Sequence, residues 1–395
     1  MADWSFERVL SEPGLRLTSD EKAAILSRMP PPSAQDGQIY IDGVFEGGGV
    51  RGIAFLGALR CCSDLGFRWR KLAGTSAGAI TAAFVAANFE IDELERVVGG
   101  MDFMQFLTQK TSWLILNGNP ADDLRSPVQM MLFLLAARKL GQYSSEPFRA
   151  WLDSNLKKRG LATFSDIKAN SGDLELKVVI SDISQGEMLV IPDDLVFPDY
   201  DDPKGRSLQE QLNLKTPDDF PIAEAVRLSM SIPLFFEPGE LGDRKRKIVD
   251  GGILSNFPLW LYDVQPPAAK AVNNEASKAS PKKCPRWPTF GFRLVEDSVR
   301  RSNNITGPFG LLGGMFKTMM VARDRYHLNQ RDEGRVINID VTTANVTATE
   351  FDLSTTKKNI LYRQGYLVTK QFFLEKWNWN KHLQVRGFDP KDVLP

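Results

Sequence analysis

A serine between two glycines and a separate run of three glycines are the residues of this chain best suited to covalent chemistry. The serine lies in Gly74-Thr75-Ser76-Ala77-Gly78, and the glycine run lies upstream in Gly47-Gly48-Gly49-Val50-Arg51-Gly52. A serine in a sharp strand-to-helix turn is presented as a nucleophile. A glycine-rich loop with free backbone N–H groups can hold the oxyanion that attack on an ester creates. The two motifs in this order predict an acyl-transfer site.

The glycine run alone has other interpretations. A Walker-type phosphate loop is excluded, because no Gly-Lys-Ser/Thr ending follows the run. Gly47, Gly49 and Gly52 match the spacing of a dinucleotide fingerprint, but residues 67–70, where its acidic partner is expected, contain no Asp or Glu. A non-catalytic module that binds nucleotide or lipid therefore stays open as an alternative.

A serine nucleophile needs a base, and Asp250 is the best candidate. It is followed by two glycines at the end of a predicted strand, and a carboxylate within hydrogen-bond distance can accept the serine proton directly. A simple turn aspartate is the alternative interpretation. The chain contains only two histidines, His327 and His382. If either one were the base, the protein would be a Ser-His-Asp esterase or acyltransferase.

The elements around these motifs predict an α/β fold. Strand, glycine loop, helix, strand, serine turn and helix follow one another over residues 38–88, which is a βαβα unit and indicates a parallel sheet covered by helices. Further strands are predicted at residues 174–181, 187–191, 246–249, 289–294 and 335–340, and a long helix at 354–377.

Composition changes along the chain predict its organisation. Residues 1–37 form an N-terminal appendage with a helix over Ser19–Met29, capped by Ser19 or Asp20. Residues 38–264 form the catalytic core. Residues 265–288, rich in Pro, Ala, Lys, Asn and Ser, form a flexible insertion. Residues 289–395 form a C-terminal segment that packs on the core.

Overall composition limits the classes of partner. The 49 basic and 49 acidic residues cancel, so no global field attracts nucleic acid. The three cysteines, Cys61, Cys62 and Cys284, lack metal-ligand spacing and are typical of reduced cytosolic thiols. No secretory signal is evident, and we expect a cytoplasmic protein with peripheral membrane association. The apolar stretches 128–137 and 310–321 are interpreted as interfacial or lid elements, or as ordinary core helices.

Taken together, the motifs closely resemble those of the patatin-like phospholipases. The glycine run, the serine turn and Asp250-Gly251-Gly252 match that family's three motifs in order and spacing, and Ala225–Pro238 is similar to its segment ahead of the aspartate. The resemblance covers roughly residues 39–262. The appendage, the insertion and the C-terminal segment are not explained by it.

The resemblance implies a three-layer α/β/α fold with a central, largely parallel mixed sheet. It also implies a lipid acyl hydrolase, or phospholipase A, that needs neither cofactor nor metal. Ser76 would be the nucleophile and Asp250 the base, with the oxyanion bound by the N–H groups of Gly48 and Gly49 in a loop shaped by Gly47. Arg51 and Gly52 would be supporting residues, and Arg51 would orient that loop or meet a phosphate, an exposed salt bridge being the alternative. The substrate would be a phospholipid at a membrane surface, and an activator or a homo-oligomer is compatible with the sequence.

Overall fold

The computed structural model describes residues 6–107, 140–263, 285–296, 318–319 and 332–389. Ten strands occur in these ranges, and eight of them form one sheet. The strands are β1 Ile39–Phe45, β2 Phe67–Thr75, β3 Gly141–Tyr143, β4 Glu175–Asp182, β5 Glu187–Ile191, β6 Leu234–Phe236, β7 Gly239–Leu241, β8 Arg246–Asp250, β9 Thr289–Val295 and β10 Val336–Asp340.

The large sheet is mixed but largely parallel. Its order is β10-β9-β1-β2-β4-β8-β7, with β5 also paired to β4, and β3 and β6 form a separate parallel pair. The strands from β10 to β4 in this order are parallel to their neighbours, whereas β5, β7 and β8 pair antiparallel. Helices flank this sheet, so the predicted fold class is confirmed.

Eleven α-helices lie wholly within the described ranges. They are α1 Glu7–Leu10, α2 Ser19–Leu26, α3 Ile53–Leu65, α4 Ala77–Ala86, α5 Ile91–Leu94, α6 Glu146–Lys157, α7 Phe164–Ser171, α8 Leu208–Gln211, α9 Ile222–Ser229, α10 Thr355–Gln371 and α11 Trp379–Val385. The long helix predicted at 354–377 is α10 followed by a π-helical turn, Phe372–Lys376. Helix α4, lined with alanine, lies against β2 because small side chains permit close approach.

The sheet has a buried apolar layer on each face. Phe45 and Leu72 belong to a large cluster that includes residues of α3, α4, α9 and α10. Their neighbours in sequence, Val44 and Ala73, point to the opposite face and pack with Phe257, Leu259 and Tyr262. Both faces are therefore shielded, which is what a largely parallel sheet requires.

The N-terminal segment packs on α10 through specific contacts. The ring of Phe6 stacks on Tyr362 at a centroid distance of 3.7 Å, and Lys370 Nζ donates to the Gly14 and Arg16 carbonyls, each at 3.1 Å. The predicted cap of α2 was wrong. Thr18 is the N-cap, because its hydroxyl accepts from the N–H of Glu21 while the Glu21 carboxylate accepts from the N–H of Thr18.

Several predictions fall on residues outside the described ranges. They are most of the insertion at 265–288, the apolar stretches 128–137 and 310–321 (apart from residues 318 and 319), and His327. Cys61 and Cys62 are both buried free thiols.

Candidate active site

Ser76 lies in a sharp turn between the end of β2 and the start of α4. Its backbone has φ 54° and ψ −122°, a conformation in which a residue other than glycine is strained. The Ser76 N–H donates to Ser229 Oγ at 2.9 Å, and Ser229 Oγ in turn donates to the Val179 carbonyl at 2.6 Å. The strained turn is thus anchored to β4 by a buried hydroxyl. Ser229 lies in the segment 225–238 noted in the sequence, although no role was predicted for it.

Asp250 reaches Ser76 because β2 and β8 meet end to end along one edge of β4. Val178 and Val179 pair with both β2 and β5, whereas Ile180 pairs with both β5 and β8. Strands β2 and β8 therefore share the edge of β4 opposite β5. Thr75 is the partner of Val179, and Asp250 is the partner of the next residue, Ile180. This register brings the two ends together.

Ser76 and Asp250 are both buried where the ends of β2 and β8 meet. Ser76 and Asp250 are each 5% exposed, and Asp250 Oδ1 also accepts from the Gly252 N–H at 2.8 Å. Burial raises the pKa of the Asp250 carboxyl from 3.8 to about 6, while the polar Ser76 side chain and the hydrogen bond from the Gly252 N–H limit the rise. At neutral pH this carboxylate is ionised and is a stronger base than an exposed aspartate.

The glycine run leaves β1 beside this pair and forms a rigid loop. Phe45, the last residue of β1, is paired with Gly74 of β2. The Gly47 N–H donates to the Asn256 carbonyl at 3.0 Å, and the Val50 N–H donates to the Ala348 carbonyl at 3.0 Å. Gly49 has φ +57°, a conformation that favours glycine. Within the described part of the chain, the N–H groups of Gly48 and Gly49 donate no hydrogen bond. The loop can therefore offer two donors to an oxyanion.

The Arg51 side chain is hydrogen-bonded to the glycine loop. Its Nε donates to the Gly48 carbonyl at 3.1 Å, and its guanidinium pairs with Glu296. These contacts fit the loop-orienting role and also the salt bridge that was the alternative. Gly52 follows, and a Cβ there would lie 3.0 Å from the Cβ of Ala77, the residue after Ser76. The glycine loop and the serine turn are thus packed against each other.

Two further polar residues, Glu46 and Asn256, support the loop, and sequence reasoning assigned no role to either. Glu46 is buried; its Oε2 accepts from the Leu294 N–H at 2.6 Å and its Oε1 lies 3.5 Å from Arg293 Nε. Asn256 Nδ2 donates to the Gly47 carbonyl at 3.2 Å. The available signal was proximity in sequence: Glu46 precedes the glycine run, and Asn256 follows Asp250 after one short turn.

His382, the histidine that lies within the described ranges, packs against aromatic side chains. His382 stacks on Trp379 and lies against Trp377, with ring centroids at 5.8 and 5.0 Å. Burial, together with the charges of Arg386 and Arg335, lowers the pKa of His382 to about 3. An imidazole with so low a pKa and these neighbours is a packing residue. Over the described ranges, no group of three or more His, Cys, Asp or Glu side chains could hold a metal ion.

The described helices also include none that could cross a membrane, because none is both long and apolar enough.

Comparison with known proteins places this site in a family context. The family model "Patatin-like phospholipase" matches residues 43–262. The uncharacterized protein YqhO of Bacillus subtilis (strain 168) is 35% identical over 344 residues, which are 86% of this chain and all of that protein. Two solved structures are similar at 14% identity. VipD from Legionella pneumophila has a TM-score of 0.46, covering 94% of this chain and 73% of that one. ExoU from Pseudomonas aeruginosa, in complex with SpcU, has a TM-score of 0.36, covering 91% of this chain and 53% of that one.

Proposed function

Because the chain belongs to the patatin-like phospholipase family, we propose that it is a phospholipase A that removes ester-linked fatty acids from phospholipids. Ser76 would be the nucleophile and Asp250 the base. The observation that carries this proposal is the burial of Ser76 and Asp250 at the adjoining ends of β2 and β8, next to a loop with two available N–H donors. Neither a histidine nor a metal is needed for the chemistry below.

In the first step, Ser76 is acylated. Asp250 accepts the proton of Ser76 Oγ while Oγ attacks the ester carbonyl carbon, and the carbonyl oxygen becomes an oxyanion that the N–H groups of Gly48 and Gly49 stabilise. Collapse of the tetrahedral intermediate breaks the bond to the glycerol oxygen. Asp250 returns the proton to that oxygen, and the lysophospholipid leaves.

In the second step, water releases the fatty acid. Asp250, ionised again, accepts a proton from a water molecule that attacks the acyl carbon, and the same loop holds the second oxyanion. Ser76 Oγ leaves with the proton that Asp250 returns. The raised pKa of Asp250 suits both steps, because a base with a pKa near the working pH can accept and return a proton.

The proposal also names the substrate class and the place where the enzyme would meet it. The substrate class is a diacyl phospholipid, which the enzyme would meet at a membrane surface as a peripheral cytoplasmic protein. An activator or a second copy of the chain is compatible with this arrangement. The histidine-based esterase receives no support from His382, since its ring packs against two tryptophans.

Lipid mass spectrometry on mixed phospholipid vesicles tests the proposed function. The wild-type protein should release free fatty acid and lysophospholipid in equal amounts, and Ser76→Ala should lower the rate by at least about 1000-fold. Asp250→Asn should behave similarly. Ser63→Ala is the matched control, because it removes a hydroxyl from an exposed serine of α3. An inactive wild-type protein, or an active Ser76→Ala variant, would count against the proposal.

A further inference from the structure

Asn256 contacts the oxyanion loop through both its main chain and its side chain. The Gly47 N–H donates to the Asn256 carbonyl at 3.0 Å, and Asn256 Nδ2 donates to the Gly47 carbonyl at 3.2 Å. Gly47 is therefore held on both of its backbone polar groups by one residue. No other residue of the loop among the described ranges is held in this way.

The orientation of the Asn256 amide follows from its surroundings. Two acceptors, the Gly47 carbonyl and Glu46 Oε1 at 3.5 Å, face the same nitrogen. The NH2 group must lie on that side, because two oxygen acceptors cannot face Oδ1. Oδ1 then points the other way, over Gly47. A Cβ built on Gly47 would lie 2.2 Å from Oδ1 and 3.3 Å from the Cβ of Ser76. Asn256 and Ser76 thus border the same space above Gly47.

The amide is retained at a cost in stability. Asn256 is 8% exposed, and its Oδ1 has no hydrogen-bond partner among the described residues. Leaving a buried acceptor unpaired destabilises the folded state. An apolar residue of similar shape would avoid that cost if Asn256 merely filled space. An apolar residue could not supply the side-chain N–H donor that holds the Gly47 carbonyl.

We infer that Asn256 is a positioning residue that acts through Gly47 to aim the N–H groups of Gly48 and Gly49 at the oxyanion. This inference rests on the proposed function, since it concerns the same site. Gly47 is the first residue of the loop, so a shift at Gly47 moves the two donors that follow it. Donor placement matters strongly in such a site, and displacement by about 1 Å can cost a factor of about 100 in rate.

A double-mutant cycle between Gly47→Ala and Asn256→Ser tests the inference. Each single variant should lower kcat by about 100-fold while KM changes less than about threefold, because the loop stabilises the transition state more than the bound substrate. Serine is shorter than asparagine, so in the double variant it leaves room for the methyl group that Gly47→Ala adds. If the two substitutions act through one contact, kcat of the double variant should also fall by about 100-fold, rather than by about 10,000-fold.

A transition-state analogue adds a readout that a purely structural role would not change. A trifluoromethyl ketone forms a tetrahedral adduct with the serine and places an oxyanion in the loop, so its affinity should fall about 30- to 100-fold in Asn256→Ser. The matched control is Ser255→Ala, a change at a buried residue of the same turn whose side chain contacts Trp260 Nε1 at 3.5 Å. That variant should stay within about twofold of wild type.

The outcomes separate this inference from the proposed function. An inactive wild-type protein would refute the function itself. Two results would overturn the positioning role alone, provided that the wild-type activity depends on Ser76. One is a double variant in which the effects of the two single substitutions multiply; the other is an Asn256→Ser variant with unchanged kcat and inhibitor affinity. If Asn256→Ser does not fold, the isosteric Asn256→Asp replaces it, since it keeps the shape and removes the donor. Failure of both to fold would assign Asn256 to the fold and also overturn the inference.

Discussion

Replacing Asp250 by Asn should abolish activity and, at neutral pH, make the protein more stable. Asp250 is buried, and the pKa of its carboxyl is raised from 3.8 to about 6, so the folded state favours the neutral acid. Asparagine has nearly the same shape. It keeps an oxygen that can accept from the Gly252 N–H and the Ser76 hydroxyl, and it never becomes charged.

The size and sign of the effect follow from proton linkage. Between pH 3.8 and pH 6 the folded state binds more protons at Asp250 than the unfolded state, so the stability contributed by this group falls as pH rises. The full penalty, present above the folded pKa, is about 3 kcal/mol for a rise of this size. About 1.4 kcal/mol of that penalty develops between pH 5 and pH 7.5. The Asn variant is free of this penalty.

Urea denaturation of both proteins at pH 5 and pH 7.5 measures this effect. The free energy of unfolding of Asp250→Asn should exceed that of wild type at pH 7.5, and the difference should grow by about 1.4 kcal/mol from the lower to the higher pH. Asp42, whose pKa burial raises to about 7, titrates in both proteins and cancels in the comparison. A difference that stays constant with pH, or that shrinks as pH rises, would refute the buried, raised-pKa description of Asp250.

Three further predictions concern activity. The rate kcat/KM should rise with pH to half its maximum near pH 6 and then level off, because Asp250 must be ionised to act as base; a flat profile from pH 5 to pH 8 would contradict this. His382→Ala, assayed for phospholipid hydrolysis at low temperature, should retain activity within about threefold, whereas an inactive but folded variant would restore the histidine interpretation. Gly49→Ala should lower kcat by at least about 100-fold without loss of secondary structure by circular dichroism, because φ is +57° and a Cβ would lie 1.9 Å from the Ala348 carbonyl oxygen. A Gly49→Ala variant with wild-type kcat would argue against the loop as oxyanion site.

The local parts of the site were readable from the sequence. The strand-turn-helix around Ser76 follows from a strand pattern, two glycines and an alanine-rich helix, and β1 and β2 both lie in the βαβα unit predicted over residues 38–88. Such features depend on neighbours in sequence, where periodicity and glycine are informative. Asp250 could be selected because it ends a strand at a glycine pair.

Long-range features could not be read in the same way. The meeting of β2 and β8 on one edge of β4 depends on the parallel pairing of β2 and the antiparallel pairing of β8 with that strand. These strands are far apart in sequence, and no local pattern encodes their register. The contacts of Asn256 could not be read from the sequence either, because its partners Glu46 and Gly47 come from another part of the chain. The predicted catalytic roles of Ser76 and Asp250 remain predictions that require activity measurements.

Covalent labelling with a fluorophosphonate probe tests the central claim most directly. Peptide mapping of the labelled wild-type protein should find one phosphonylated serine, Ser76, with no labelling in Ser76→Ala, slower labelling in Asp250→Asn and an unchanged rate in Ser63→Ala. Absence of labelling in the wild-type protein, or equal labelling of Ser76→Ala, would contradict the account.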